Sequence, residues 1–332
     1  MIPEVVVAGA TSWGATLAIH IARKGIPVQL LTRGDDETEA LVRAGSHPRV
    51  DAAFPESLEV SADASVLAAA PLLILAVPAQ TMRHNTRRLA RHIGHQTMVA
   101  HLAKGLERST LQRMSVVIRE ELWAAHSAPI AAISGPNLAK EVAAGLPSTT
   151  VVGCADSSAA RSLQDLLMAP TFRAYTNPDI IGVEFGGSLK NVIALGAGLV
   201  DGFKLGDNTK AGYVTRGLAE ITRLGVAAGA EPLTFQGLSG LGDLVATCYS
   251  PLSRNRRVGE AIALGGTLEE ILKEMGEVAE GVQTVPAALA LSGQYGVEMP
   301  ITEQANAILF EGRRPQEALS LLLEREPKAE NW

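Results

Sequence analysis

Two lysines and an aspartate have the residue types and surroundings for proton chemistry. Lys190 is the only charge in residues 185–200 (FGGSLKNVIALGAGLV), a run of glycine, alanine and aliphatic residues that otherwise reads as a buried helix. Burial lowers a lysine pKa from about 10.4 and a neighbouring carboxylate raises it again, so such an ammonium can be tuned for proton transfer near neutrality. Asn191 adds a second polar group in the same apolar setting. The plain alternative is a lysine that snorkels to the surface from a helix edge. Asp243, in GLGDLVATC, is again a lone charge among small and apolar residues. A buried aspartate needs a partner, which Lys190 would supply; capping of a helix after Gly242 is the other reading. Lys104, in HLAKGLE, directly follows the strand expected at 98–103, and strand carboxyl ends are where ligands bind in open α/β sheets. A surface lysine opening the next helix would look the same.

Residues 253–257 (SRNRR) bring three arginines together with Ser253 and Asn255. That is the planar, multidentate chemistry suited to phosphate, although a solvated basic face has the same composition. In residues 133–140 (ISGPNLAK), Gly135 and Pro136 form a turn that can present backbone N–H groups and the Asn137 side chain to a ligand, as a plain loop also would. All seven histidines lie between His20 and His126, so a helical second half has no imidazole to offer: a lysine must do its acid–base work, or a histidine must come from the first half. No helix carries a His-x-x-x-His pair with a carboxylate between, and no metal is expected.

These groups need a scaffold. Residues 4–9 (EVVVAG) read as a strand, 10–14 as a turn, 15–24 as a helix ending at Gly25, and 27–32 (PVQLLT) as a second strand, which makes a βαβ unit of a parallel sheet. A weak strand is expected near 58–60, a strong one at 72–77, a helix at 80–92, and strands at 98–103, 131–134 and 149–154. From about Pro178 the alternation gives way to apolar segments of helical spacing broken by glycine-rich joints. The expectation is an α/β fold: a Rossmann-type dinucleotide-binding domain over residues 1–180, followed by an all-helical C-terminal substrate domain over 181–332. Residues 155–177 could pack with either part.

Within the first turn, Gly9 and Gly14 fit the G-x-G-x-x-G pattern that lets a pyrophosphate approach the backbone at a helix amino terminus, while Thr11 takes the second glycine position. A side chain there is expected to weaken the cofactor or shift it slightly. The second strand ends in Thr32 and Arg33 rather than in a carboxylate, which favours a 2′-phosphate and hence NADP over NAD; Asp35 and Asp36 nearby pull the other way.

With 332 residues and 47% hydrophobic composition, the chain can bury two cores, and its net charge of −6 argues against a general nucleic-acid partner. Two cysteines, Cys154 and Cys248, are too few for a disulfide scaffold and fit a reducing cytoplasm. The amino terminus lacks a basic region before a long apolar run, so neither export nor membrane insertion is expected.

Taken together, AKGLE, ISGP, NPDIIGVEFGGSLKNVIALGAG, TRGLAEITRLG, GLGDLVATC, SRNRRVG and GVEMPIT resemble, in this order, the bacterial cytosolic NAD(P)-dependent glycerol-3-phosphate dehydrogenases, over Val6 to about Leu321. The resemblance implies hydride transfer between sn-glycerol 3-phosphate and dihydroxyacetone phosphate, supply of the former to phospholipid synthesis, and a homodimer. It places Ser12, Trp13, Arg33, Lys104, Ala139, Arg254, Val278 and Glu280 on cofactor contacts, beside Gly9 and Gly14. It places Lys104, Gly135, Asn137, Lys190, Asp243, Ser253, Arg254 and Asn255 on substrate contacts, with Lys190 as acid/base, Asp243 orienting it and Lys104 assisting. Three residues depart from the family pattern: Thr11, Asn137 in place of Ser or Thr, and Leu138 in place of Phe. A related reductase of another hydroxyacid, or a dinucleotide sensor without turnover, remains the alternative; the arginines at 254–257 speak against the first and the two lysines with Asp243 against the second.

Overall fold

The structure, a computed structural model, describes residues 3–122, 126–275, 279–327 and 329–330. Strands β1 (Val5–Ala8), β2 (Val28–Leu31), β3 (Leu58–Ser61), β4 (Leu72–Leu75), β5 (Met98–His101), β6 (Ile130–Ser134), β7 (Ser148–Gly153) and β8 (Phe172–Asn177) form one sheet in the order β3-β2-β1-β4-β5-β6-β7-β8. The four residues of β1, of β2 and of β4 are all buried, as expected of parallel strands covered on both faces. The covering helices are α1 (Ser12–Ala22), α2 (Asp35–Ala44), α3 (Met82–Ala90), α4 (Met114–Glu121), α5 (Ala139–Ala143) and α6 (Ser157–Leu167). After β1 the chain builds outward to β3 and then returns to the other side of β1 at β4. The strand order therefore reverses between β1 and β4, which opens a crevice at their carboxyl ends.

The structure adds two details. Residues 155–177 belong to the sheet part: α6 buries Ala160, Leu163 and Leu167, and β8 pairs with β7 from Ser148↔Phe172 to Gly153↔Asn177. Strand β8 (FRAYTN) alternates buried and exposed residues at the sheet edge, a weaker signal than the solid runs of the central strands. Nor is the sheet wholly parallel. Strand β7 runs antiparallel to β6, because only the short α5 joins them and no full crossover returns the chain.

The remainder is helical: α7 (Ile180–Gly202), α8 (Asp207–Ala227), α9 (Asp243–Tyr249), α10 (Arg254–Ala263), α11 (Leu268–Met275), α12 (Glu280–Tyr295), α13 (Pro300–Phe310) and α14 (Pro315–Leu323). The central member is α7, capped by Asp179, which accepts from Gly182 N at 2.8 Å. By length and composition α7 could cross a membrane, but 89% of its most apolar window is buried inside the protein, where α8, α9, α10 and α12 pack around it. Against α10 the approach is backbone to backbone. A Cβ on Gly198 would lie 1.9 Å from Arg256 O, and one on Gly259 would lie 1.8 Å from Leu195 O. That glycine crossing seats the amino end of α10 beside the middle of α7, where Lys190 projects.

Candidate active site

The crevice between β1 and β4 is lined first by backbone. Gly9 has φ +113, a conformation that favours glycine, and a Cβ there would lie 2.7 Å from Ala76 O at the end of β4. A Cβ on Gly14 would meet Gly9 O at 2.3 Å. Helix α1 starts at Ser12, earlier than its apolar periodicity suggested, because Thr11 is its N-cap: Thr11 Oγ1 accepts from Gly14 N at 3.0 Å and donates to Ala76 O at 3.0 Å. Thr11 also has a scaffold role, since its hydroxyl ties the turn to β4. The first N–H groups of α1, at Ser12 and Trp13, have no intrahelical acceptor and make a positive end suited to a pyrophosphate. The tight glycine turn and the open helix end together fit a dinucleotide.

Arg33 follows β2 with its side chain 85% exposed, and Glu37 grips it: Nη2 to Oε1 at 3.1 Å, Nε to Oε2 at 3.3 Å, and the Arg33 backbone N to Oε2 at 3.0 Å. The hydrogen bonds that Arg33 donates to Glu37 raise its pKa further. Glu37 escaped the sequence reading, although its i,i+4 spacing from Arg33 signals such a pair. Ala139 opens α5, which packs on α1, and its carbonyl lies 3.5 Å from Thr16 Oγ1. Val278 lies outside the described residues.

The second cluster is built from side chains. Lys190 is buried and donates to Asp243 Oδ1 and to Thr247 Oγ1, the latter at 2.7 Å. Lys104 donates to the other oxygen, Asp243 Oδ2, at 2.7 Å and to Gly135 O at 2.9 Å. Both lysines thus converge on one carboxylate that is buried at the start of α9. Asp243 forms no cap bond to α9. Burial pushes the Lys190 ammonium down to about 8, against the opposing pull of Asp243, and the Lys104 charge lowers it further. Thr247 was not singled out from sequence, yet it stands one helical turn after Asp243 and donates to Asp243 O at 2.6 Å.

The remaining residues join in two ways. Asn191 Nδ2 donates to Lys104 O at 3.3 Å, Asn255 Nδ2 donates to Asn191 Oδ1 at 2.9 Å, and Asn255 Oδ1 accepts from Gly281 N at 3.0 Å. Asn255 is thus tied at both ends, which leaves one amide proton for a substrate. Glu280 opens α12 and accepts from Ala79 N at 3.3 Å, linking the helical part to the loop after β4; burial raises its pKa, opposed by Arg254. Ser253 caps α10, and Arg254 beside it is exposed. The three arginines do not act together, however. Arg256 turns back to Asp201 and Glu260, with Nε to Asp201 Oδ2 at 2.5 Å, so the group at 254–257 is split between exposed Arg254 and Arg257 and a structural Arg256. Asn137 is likewise committed to β7: its Nδ2 donates to Thr149 O at 2.8 Å and its Oδ1 accepts from Thr150 Oγ1 at 3.0 Å.

A buried lysine and a half-buried one on a single aspartate, beside a helix amino end and at the carboxyl edge of a dinucleotide sheet, can stabilise or protonate a developing alkoxide. Comparison with known proteins agrees with that chemistry. Residues 4–160 match the family described as NAD-dependent glycerol-3-phosphate dehydrogenase N-terminus, and residues 179–320 match its C-terminus. The chain is 46% identical over 329 residues to a glycerol-3-phosphate dehydrogenase [NAD(P)+] of Desulfitobacterium hafniense, covering 98% of this chain and 93% of that one. It is 45% identical over 329 residues to one of a Thermoanaerobacter species, covering 98% of each. The crystal structure of glycerol-3-phosphate dehydrogenase from Coxiella burnetii superposes with a TM-score of 0.92 at 37% identity, covering 98% of this chain and 100% of that one.

Proposed function

The chain belongs to the NAD-dependent glycerol-3-phosphate dehydrogenase family and is an oxidoreductase that interconverts sn-glycerol 3-phosphate and dihydroxyacetone phosphate; we propose that Lys190 is its acid/base, with Asp243 and Lys104 as its immediate partners. The observation that carries this reading is the convergence of both lysines on the two oxygens of Asp243. A nicotinamide dinucleotide, held by the turn at Gly9 and Gly14 and the amino end of α1, supplies or takes up the hydride when bound. As negative charge grows on the ketone oxygen, the Lys190 ammonium donates its proton there. Asp243 keeps that ammonium aimed, and Lys104 offers a second positive donor at the carbonyl. In the reverse direction neutral Lys190 accepts the hydroxyl proton.

The substrate phosphate goes to the amino end of α10, where Ser253 and the exposed Arg254 stand; the second amide proton of Asn255 assists. Binding energy gathered at that remote group orients the reacting carbon. Gly135 and Asn137 shape the opposite wall. Ser12, Trp13, Arg33, Ala139, Val278 and Glu280 complete the cofactor side, and NADP is preferred over NAD because the Arg33 guanidinium is accessible at the end of β2. This reading divides the chain near residue 180 into dinucleotide and substrate parts. It makes the enzyme a cytoplasmic homodimer that supplies phospholipid synthesis. Unpaired Cys154 and Cys248 fit that compartment. The exposed Leu241, Val245 and Tyr249, at four-residue spacing, give an apolar stripe that a second copy could cover.

Initial rates of NADPH and NADH oxidation with dihydroxyacetone phosphate, run beside Lys190→Ala, test the proposal. Turnover that is abolished in the variant supports it and ranks the two cofactors. Undiminished turnover in the variant removes Lys190 from the chemistry.

A further inference from the structure

Glu184 stands on α7 six residues before Lys190, about 9 Å along the helix axis, with its side chain 3% exposed. Its carboxylate accepts from Ser115 N at 2.7 Å, Ser115 Oγ at 2.6 Å and Arg113 Nη1 at 2.5 Å, and His101 Nε2 lies 3.1 Å from Oε1. Burial opposes its charge, but His101, Arg113 and Ser115 hold the carboxyl at about 2, so it is an anion throughout the working range. These partners have a notable origin in the chain. His101 ends β5 three residues before Lys104, and Arg113 and Ser115 lie on the segment that follows Lys104 into α4. One buried clamp therefore joins the two stretches of chain that carry the two lysines.

Elsewhere in this half of α7 the contacts to its neighbours are apolar side chains, such as Val183 against Gly153, or bare glycine backbone. A Cβ on Gly186 would lie 2.7 Å from Ser239 O, and one on Gly187 would lie 2.6 Å from Ser134 Oγ. Glycine contacts let α7 come close, and the apolar contacts of Val183, Phe185 and Leu189 are non-directional, so neither kind fixes its position along its axis as hydrogen bonds do. Between its cap at Asp179 and Lys190, Glu184 supplies a multipoint polar tie from α7 to the sheet part. We propose that Glu184 is a positioning residue for the reaction: clamped by Ser115, Arg113 and His101, it sets the axial register of α7 so that Lys190 meets the same carboxylate as Lys104. The inference rests on the reading of Lys190 as acid/base and extends it to a residue that does not touch substrate. A displacement of the order of 1 Å at a reacting group costs about 10²-fold in rate, so a register tie of this kind reads out in kcat.

The test compares Glu184→Gln with Glu220→Gln. Glu220 is an equally buried carboxylate that accepts from Ile301 N, Thr302 N and Thr302 Oγ1 at 2.8, 2.9 and 2.7 Å and is bonded to none of the described residues assigned to the site. The expected result is a kcat about 10- to 100-fold lower in E184Q. The KM for dihydroxyacetone phosphate and the calorimetric Kd for the dinucleotide should stay within about threefold of the wild type. E220Q lowers thermal stability but leaves kcat within about twofold. Ser115→Ala, which trims the clamp without touching its charge, gives a smaller kcat loss of the same kind and stands in if E184Q does not fold. Equal kcat losses in E184Q and E220Q at matched destabilisation, or an unchanged kcat in S115A and E184Q, overturn the proposal. A crystal structure of the variant reads the same point without turnover: the proposal requires that Lys190 and Lys104 no longer share Asp243, and an unmoved pair refutes it even if dihydroxyacetone phosphate proves not to be the substrate.

Discussion

The dinucleotide turn and the lysine site meet at one edge of the sheet but are built from different materials. The turn is backbone: Gly9 and Gly14 are fixed by what their missing side chains allow, while the threonine between them serves as a local cap. The lysine site is side chain, with Lys190, Lys104, Asp243 and Thr247 held at fixed distances in a buried setting. A site made of main chain tolerates exchange of side chains that point elsewhere. A site made of buried charges tolerates almost none, because each ion is stabilised only by its partners.

The difference predicts a graded set of outcomes. Lys190→Met should lower kcat by about 10²- to 10⁴-fold, the range for loss of a general acid, with dinucleotide Kd unchanged by fluorescence titration. Asp243→Asn should come next. It leaves two cations without their carboxylate, and denaturant unfolding should register about 3–5 kcal/mol lost together with a large fall in kcat.

The pH dependence follows from the same pair. Ketone reduction needs protonated Lys190, so kcat/KM for that direction should fall as pH rises through about 8, while alcohol oxidation, which needs the neutral amine, should rise through the same region. Asp243→Asn removes a carboxylate that raises the Lys190 pKa, so the limb should move to lower pH in any residual activity. A limb unmoved by that substitution would place the titrating group elsewhere.

On the backbone side the effects are smaller and fall on binding. Gly9→Ala forces a Cβ to 2.7 Å from Ala76 O at φ +113, and should weaken dinucleotide binding at least about tenfold while leaving the Lys190 pH limb in place. If Arg33 takes a 2′-phosphate as proposed, Arg33→Ala should lower the NADPH-to-NADH ratio of kcat/KM by about tenfold, the grip of Glu37 offsetting part of the contact. Thr11→Gly should be the mildest. Loss of the cap and of the bond to Ala76 O removes about 1 kcal/mol of stability, and dinucleotide Kd stays within about twofold. A Thr11→Gly effect as large as that of Gly9→Ala would erase the distinction between the two regions.

The amino-acid sequence by itself determined what depends on neighbours along the chain. The β1-turn-α1-β2 unit is written in contiguous runs and glycine positions, and the isolation of Lys190 and Asp243 among apolar residues is visible without coordinates. It was silent on what depends on distant segments meeting. Edge strand β8 is marked only by short alternation, and its place is decided by pairing with β7. Arg256 reads like Arg254 in SRNRR, and only the approach of α10 to α7 sends it to Asp201, 55 residues away. Lys104 and Asp243 are 139 residues apart and share a carboxylate with Lys190 only because β5, α7 and α9 pack at one place. Glu184 sits in the same glycine-rich run as Lys190, and its three partners come from 69 or more residues upstream. Local propensity and periodicity act over a few residues, whereas a buried charge is given its role by whichever partners tertiary packing brings to it.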